Sequence, residues 1–345
     1  MQSKEEYEED LSFIKSLPEE LLKQVIQNLS KEKTTQNSFV LTCSLFYNQL
    51  QRERLWASLV QCVINGNQKK AQMLLKKYPD LLWDRGTIKD NSGRVFKNTT
   101  VWEYVLWALD VRYMAPMMLE CLPISKEGKE IWDNLLVQLD ELEKNGIFYE
   151  LNGEIYHESH YDFFIIAALE YFVKNYLFWR SAQRQAEWCT GVGMAQFCAP
   201  AHVAQHYCDL RVPFYPIPQF DSKTFNRTLV FLNRNTSELQ SWWEQKIPTK
   251  LEKQNQLEEP EKQGEQVERL GVTVAIYRKR SPLRALGLSI DTGILHKIAK
   301  NNMDALIALR DKRLADRRLL REQICELDLK FKFQIEAMPF LSSSG

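Results

Sequence analysis

The chain has 345 residues, with 45 Lys+Arg against 45 Asp+Glu and seven cysteines. Zero net charge excludes a global electrostatic pull toward nucleic acid or an acidic membrane. An odd, scattered set of cysteines suits a reducing compartment and not a disulfide framework. Residues 1–10 are acidic and polar and lack the basic and apolar regions of a secretory signal. The longest apolar run, Phe163–Leu169, is too short to span a bilayer. These features predict a protein that works in solution in a reducing cytoplasm, as one large domain or two to three small ones.

Residues 17–56 read as three short amphipathic helices. Pro18 suits the first helical position, where its missing N–H costs nothing. Glu19 and Glu20 follow in the first turn, where the helix dipole favours negative charge. Leu21, Leu22, Val25, Ile26 and Leu29 then make one wide apolar stripe. Phe39, Val40, Cys43, Phe46, Tyr47 and Leu50 make a second stripe, and Leu55, Trp56 and Leu59 begin a third. A cluster of roughly 40 residues is near the lower limit for folding alone. It therefore needs a neighbour in the chain or a partner.

This stretch resembles an F-box. The match runs from Leu17-Pro18 and the acidic turn through Leu21-Leu22, Val25-Ile26 and Leu29 to Val40, Cys43, Leu45-Phe46, Leu50 and Leu55-Trp56. It departs in the polar gap Lys31–Asn37 and at Phe46, where Trp is common. The resemblance implies binding to the Skp-type adaptor of a cullin–RING ubiquitin ligase, with Leu17, Pro18, Leu21, Leu22, Val25, Ile26, Leu29 and Trp56 as the adaptor-binding residues. The other reading of the same residues is a plain N-terminal helical hairpin packed on its own domain.

Two helical hairpins follow. Ser58–Ile64 and Ala71–Leu75 flank Asn65-Gly66-Asn67, and Thr100–Leu106 is followed by Met114–Leu119. They resemble the helical part of degenerate ankyrin repeats, and any two helical hairpins would look similar. In the insert between them, Asp90-Asn91-Ser92-Gly93-Arg94 reads as a turn with a surface ion pair worth little energetically. Residues 126–145 form an amphipathic helix on Ile131, Leu135, Leu139 and Leu142, ended by Gly146. Asn152-Gly153 marks a hairpin over Phe148–His157, and a long core helix is expected from Tyr161 to Trp188. Beyond Cys189, strands are expected at 228–232 and 272–277, a polar loop at 249–269, and a helix over 291–325.

The polar clusters leave several chemistries open. Cys198, His202, His206 and Cys208, near Cys189, have the donor types zinc prefers, but their spacing fits no standard zinc finger. Buried small-hydrophobe cysteines and packed histidines are the commoner fate of such residues. His157, Glu158, His160 and Asp162 are polar neighbours at the start of the long helix. Asp162 or Ser159 is the expected N-cap. Arg310, Lys312, Arg313, Arg317, Arg318 and Arg321 form a basic helix face. Interleaved Asp311, Asp316 and Glu322 make it read as a solvated, ion-paired surface, with phosphoinositide or RNA contact as the alternative. No Walker loop, dinucleotide fingerprint or nucleophile motif is present.

A second resemblance covers most of the chain. Asp90-x-x-Gly93-Arg94, Asn98-x-Thr100, Trp107–Asp110, Gly193–Gln196, Pro200–Val203, Tyr207-Cys208, Phe220 and Arg227–Leu229 are similar to a family of effector proteins delivered into host cells by intracellular bacterial pathogens, some with an N-terminal F-box. It implies secretion by a bacterium and work in the host cytoplasm, and no defined chemistry. The expected fold is mainly α: an F-box-like helical unit at 12–57, ankyrin-like helical hairpins at 58–124, and a mainly helical target-binding domain at 125–340 with a few short β-strands. The expected function is a substrate-recruiting ubiquitin-ligase adaptor without catalytic residues, cofactor, nucleic-acid partner or integral membrane segment. The alternatives are a zinc-dependent or cysteine-based enzyme centred on 189–208, and a scaffold for a cytoskeletal or membrane-associated host protein.

Overall fold

The computed structural model describes residues 44–209, 211–223, 225–233, 238–243 and 294–341. Seven of the eight adaptor-binding candidates (Leu17, Pro18, Leu21, Leu22, Val25, Ile26 and Leu29), the polar segment 249–269 and the expected strand at 272–277 lie outside them. The chain divides into two compact units, Met1–Leu59 and Val60–Gly345. The described part is mainly α, with a few short antiparallel strands and a helical C-terminal segment, as the periodicity predicts. None of its helices is long and apolar enough to cross a membrane.

Helix α1, Ser44–Ile64, is one element of 21 residues. Tyr47–Leu50 and Leu55–Leu59, expected in separate helices, share it. The intervening Gln51-Arg52-Glu53-Arg54 are all strong helix formers, so nothing stops the helix before Asn65-Gly66. There the N–H of Asn67 bonds the carbonyl of Cys62 at 2.7 Å, and the Asn67 side chain caps helix α2, Gln68–Lys77.

The insert between the helical hairpins holds more structure than its turn signal suggested. Strands β1 (Gly86–Lys89) and β2 (Val95–Thr99) flank the Asp90–Arg94 turn. After β2 come three helices, α3 (Val101–Trp107), α4 (Met114–Glu120) and α5 (Lys126–Asn145). Thr100 starts α3 with a full capping box to Glu103. Gly146 closes α5 as expected. Strands β3 (Ile147–Leu151) and β4 (Glu154–Glu158) form the predicted hairpin, with Asn152 and Gly153 both at positive φ, as a two-residue turn of this type requires. All four strands make one antiparallel sheet, β1-β2-β3-β4. The β2–β3 pairing, through Val95 and Glu150, joins the region of the helical hairpins to the region beyond residue 124.

The expected helix over 161–188 is interrupted. Phe163 sits at φ 50°, so helix α6 runs Phe164–Asn175 with Phe163 and not Asp162 or Ser159 at its N-cap, and without a side-chain cap. The chain then turns. The Tyr176 carbonyl, which a continuing helix would offer to residue 180, accepts from Arg184 Nε at 2.8 Å instead. Helix α7 (Ser181–Glu187), a π-turn (Trp188–Val192), α8 (Gly193–Phe197) and α9 (Ala201–Cys208) follow. A β5–β6 hairpin (Val230–Asn233, Glu238–Ser241) pairs near α9, and the fully buried Trp242 after it packs against Tyr207 and Phe231.

Helix α10, Ile294–Leu341, packs on α6 and α5. Its buried positions include Ile298, Asn302, Leu306, Leu309, Arg313, Asp316, Leu320 and Ile324. That is a single stripe at spacings of three and four in which two charged residues take core positions.

Gly128 lies in the first turn of α5, where a Cβ would stand 1.8 Å from the carbonyl oxygen of Pro123. Gly128→Ala is expected to destabilise the protein by ~1–3 kcal/mol through this backbone clash, measured as a lower urea midpoint at unchanged slope.

Candidate functional site

Two buried arginine networks organise the polar interior. The first starts in the β1–β2 turn. Asp90 Oδ1 accepts from the Ser92 N–H (2.9 Å), the Ser92 hydroxyl (2.6 Å) and the Arg94 N–H (3.0 Å). Arg94 is fully buried and Asp90 nearly so, which corrects the expectation of a surface ion pair. Arg94 Nη1 donates to Ser92 Oγ at 2.7 Å and to the Cys198 carbonyl at 2.8 Å, with Asp90 Oδ2 at 3.4 Å. The rings of Trp107, Tyr149, Tyr161 and Phe164 surround the guanidinium at 5.2–5.6 Å. Nε and Nη2 have no hydrogen-bond partner, so the π faces are what receive their charge. Burial opposes that charge, but the neighbours, Asp90 first, outweigh it and hold the Arg94 pKa above its ordinary value.

The second network joins α2, the α3–α4 junction, α9, residues 220–227 and α10. Arg227 grips Asp110 with both Nη atoms, at 2.6 and 3.1 Å, and reaches Gln205 Oε1 at 3.1 Å and Gln68 Oε1 at 3.3 Å. Tyr113 and Phe225 stack at 5.0 Å beside it. On α10, Arg313 donates to Asp316 at 2.9 Å and to the Phe220 carbonyl at 3.1 Å. Its Nη2 lies 3.2 Å from His206 Nε2. Arginine can only donate, so Nε2 accepts there. Arg112 joins the same carboxylate at 3.1 Å and also bonds the carbonyls of Asp221 and Ser222. Phe220, at φ 54°, is held in this left-handed conformation beside the Arg313 contact. Burial would raise the Asp110 pKa, but Arg227 and then His202 outweigh it and lower the carboxyl below its usual range. Burial lowers the Arg313 pKa.

A cavity of about 440 Å³ opens beside this network, with Tyr113, His206, Arg211, Phe220 and Phe225 in its wall. A wider groove between α5 and α10 is lined by Glu143, Arg317, Arg318, Arg321 and Cys325. There Arg321 pairs with Asp140 and Glu143, and Arg317 donates to the Ser159 carbonyl. Part of the expected solvated basic face is therefore engaged with α5 and its neighbours, and Arg313 is not on a surface at all.

The metal candidates are close in sequence but do not form a ligand set. His202 and His206 are one turn apart on α9, as their spacing predicts, and both are buried. Cys198 precedes that helix and Cys208 ends it. Among the described residues, no three His, Cys, Asp or Glu side chains converge where they could hold a metal ion. The cation of Arg313 against His206 Nε2 also opposes a second cation there. Burial pushes the Cys198 thiol up, the opposite of what an activated nucleophile needs. Glu158 accepts from Trp107 Nε1 at 3.0 Å and from Tyr149 Oη at 2.7 Å, so it braces the sheet. Trp56, the one adaptor-binding candidate among the described residues, is half-buried on α1.

Comparison with known proteins matches residues 164–324 to the family model described as "CBUA0006 C-terminal domain". A relative from Coxiella burnetii (strain RSA 493 / Nine Mile phase I), named "Uncharacterized protein CBUA0006", is 36% identical over 207 residues. That alignment covers 55% of this chain and 59% of the relative, so the chain spans less than two thirds of the relative's length. No solved structure matches. The matched family segment contains Arg227, His202, His206 and the Arg313–Asp316 pair, whereas Asp90, Arg94 and Asp110 precede it.

Arg94→Met keeps much of the packing against the rings and strands Asp90 as a buried, unpaired carboxylate. It is expected to cost about 3–5 kcal/mol in urea denaturation, with Arg94→Lys recovering only part of the loss because a single ammonium cannot reproduce the planar contact with four rings.

His202 makes a second expectation, on pH. Neither ring nitrogen has a hydrogen-bond partner, and burial lowers its pKa to about 3. In the unfolded chain it protonates near pH ~6.5. Between those values the unfolded state binds more protons, so stability falls as pH drops through the window, by about 1.4 kcal/mol per pH unit at most from this group. Asp110 adds its loss only at lower pH, as the folded carboxyl is finally protonated below its depressed pKa. His202→Met is expected to flatten the loss of stability between about pH 7 and about pH 5; an unchanged slope assigns that loss to another group.

Proposed function

We propose that the chain is a substrate-recruiting adaptor, in which residues 12–57 dock on the Skp-type adaptor of a cullin–RING ubiquitin ligase and the remainder binds a host target protein. The observation that carries the reading is the order and spacing from Leu17-Pro18 through Leu21-Leu22, Val25-Ile26 and Leu29 to Leu55-Trp56. Trp56 is carried on helix α1, as the F-box-like pattern requires of its last element. The buried ionisable groups support it as well: Arg94, Asp110, Arg227, Arg313 and Asp316 are each committed to holding distant segments together. The mechanism is proximity. Tethering raises the effective concentration of target lysines at the ligase and needs no chemistry from this chain. Similarity to a protein of an intracellular pathogen supports delivery by a bacterium into the host cytoplasm.

The test is a pull-down of the full chain with purified Skp-type adaptor. Wild type is expected to be retained, and the Leu17→Ala, Pro18→Ala double variant to lose at least about tenfold in affinity, as hot-spot truncations do. Equal retention of both proteins places the docking site elsewhere.

A further inference from the structure

Between α6 and α7 the chain turns through residues 176–180. Leu177 is 80% exposed and Phe178 85%, and Tyr171 on the preceding helix is 55% exposed. The turn is tightly held. The Phe178 N–H bonds the Asn175 carbonyl at 3.0 Å, and the Asn175 side chain donates to the Tyr171 carbonyl at 2.8 Å. Arg184 lies 4.3 Å over the Tyr176 ring. Beneath it, Phe172 packs edge-on against Tyr176, Trp179 and Trp188. The fold thus buries Tyr176 and Trp179 while holding the two apolar side chains between them in water. Such a projection forfeits burial free energy, and an apolar patch with a polar rim marks a contact surface.

The two stretches at this tip are basic in sequence. Residues 171–186 contain Lys174, Arg180 and Arg184 and no acid. The first ten residues of α10, 294–303, contain Lys297 and Lys300 and no acid. A ring contact at 5.2 Å between Tyr176 and His296 brings the start of α10 to the turn. Glu170, Glu187 and Asp304 stand just outside these stretches. Four exposed cations, Lys174, Arg180, Lys297 and Lys300, therefore lie on the turn's own segment and on the helix start that meets it, in a chain of zero net charge.

We propose that the Leu177–Phe178 tip docks the protein on an anionic lipid surface, the apolar pair entering the headgroup layer while Lys174, Arg180, Lys297 and Lys300 supply the attraction to the lipid phosphates. A short apolar insertion combined with basic residues gives two weak signals that together hold a protein at a membrane, and the electrostatic part is screened by salt. A lipid surface needs only negative potential, whereas a protein groove would have to present acids matched to cations on separate helices. The inference is independent of the adaptor reading and involves no residue of 12–57.

Flotation of the full chain with phosphatidylcholine–phosphatidylserine vesicles tests it. Wild type is expected to float at low salt and to be released as salt is added. The Leu177→Ser, Phe178→Ser variant is expected to lose about tenfold or more in vesicle recovery at unchanged circular dichroism, since both side chains lie outside the core. Lys174→Glu with Arg180→Glu is expected to weaken flotation similarly. The proposal is overturned if the serine variant floats like wild type, or if phosphatidylcholine alone serves equally well. It is also overturned if wild type stays with the unbound protein, the outcome expected where a partner protein or the chain's own residues 244–293 occupy the tip.

Discussion

A guanidinium without access to water stands where the four-stranded sheet, helix α6 and residue 198 meet. Arg94 has a carboxylate, a hydroxyl and a carbonyl on one nitrogen and aromatic faces around the rest. A buried charge of this kind is tolerated only when its surroundings are complete. The Asp90 turn, the aromatic cluster of Trp107, Tyr149 and Tyr161, and the carbonyl of Cys198 must therefore assemble together. The rings reach further into the fold, since Phe96 packs against Tyr104, Trp107 and Tyr149 beneath the sheet. Few local features supply such a cage, and a strand pairing across more than fifty residues supplies much of it.

The second network repeats this design with other arginines. Arg227 connects Asp110 to Gln205 and Gln68, and Arg313 and Arg112 share Asp316 while holding the carbonyls of residues 220–222. Each guanidinium presents several donors in a fixed plane, so one side chain can fasten several segments that are far apart in sequence. Desolvation offsets much of the attraction in buried ion pairs of this type, so breaking one costs more than forming it gains. The result is an interior whose charges position the chain, with chemistry-bearing His202, His206 and Cys198 absorbed into packing. The surface, by contrast, keeps Leu177 and Phe178 in water.

Much of the helical architecture was legible from periodicity and turn residues. Ile131, Leu135, Leu139 and Leu142 with Gly146 define α5, and Asn152-Gly153 defines the β3–β4 turn, because both signals are local. Arg313 and Asp316 could have been found by extending the stripe of Leu306, Leu309, Leu320 and Ile324 through them, since a charged residue at a stripe position faces the core whatever its polarity. The Asp90–Arg94 turn was visible, but its burial was not. Nothing local distinguishes an arginine on a surface hairpin from one covered by residues 149, 161 and 164. The break after Asn175 was hidden for a similar reason: no Gly or Pro marks it, and a side chain eight positions away takes the decisive carbonyl.

By itself the sequence determined the mainly helical class, the ends of α3, α4 and α5, and the second hairpin. These follow from backbone preferences and from apolar spacing within about a dozen residues. Only the tertiary structure decided that the insert carries two strands, that Arg94 and Arg313 are interior, and that the 189–208 cysteines and histidines do not converge as ligands. It also decided that Leu177 and Phe178, indistinguishable in sequence from their buried neighbours Tyr176 and Trp179, point into water. The physical reason is common to all of these. Burial and the partners of a charge are set by segments distant in the chain, and composition at one position carries no record of which segments arrive to cover it.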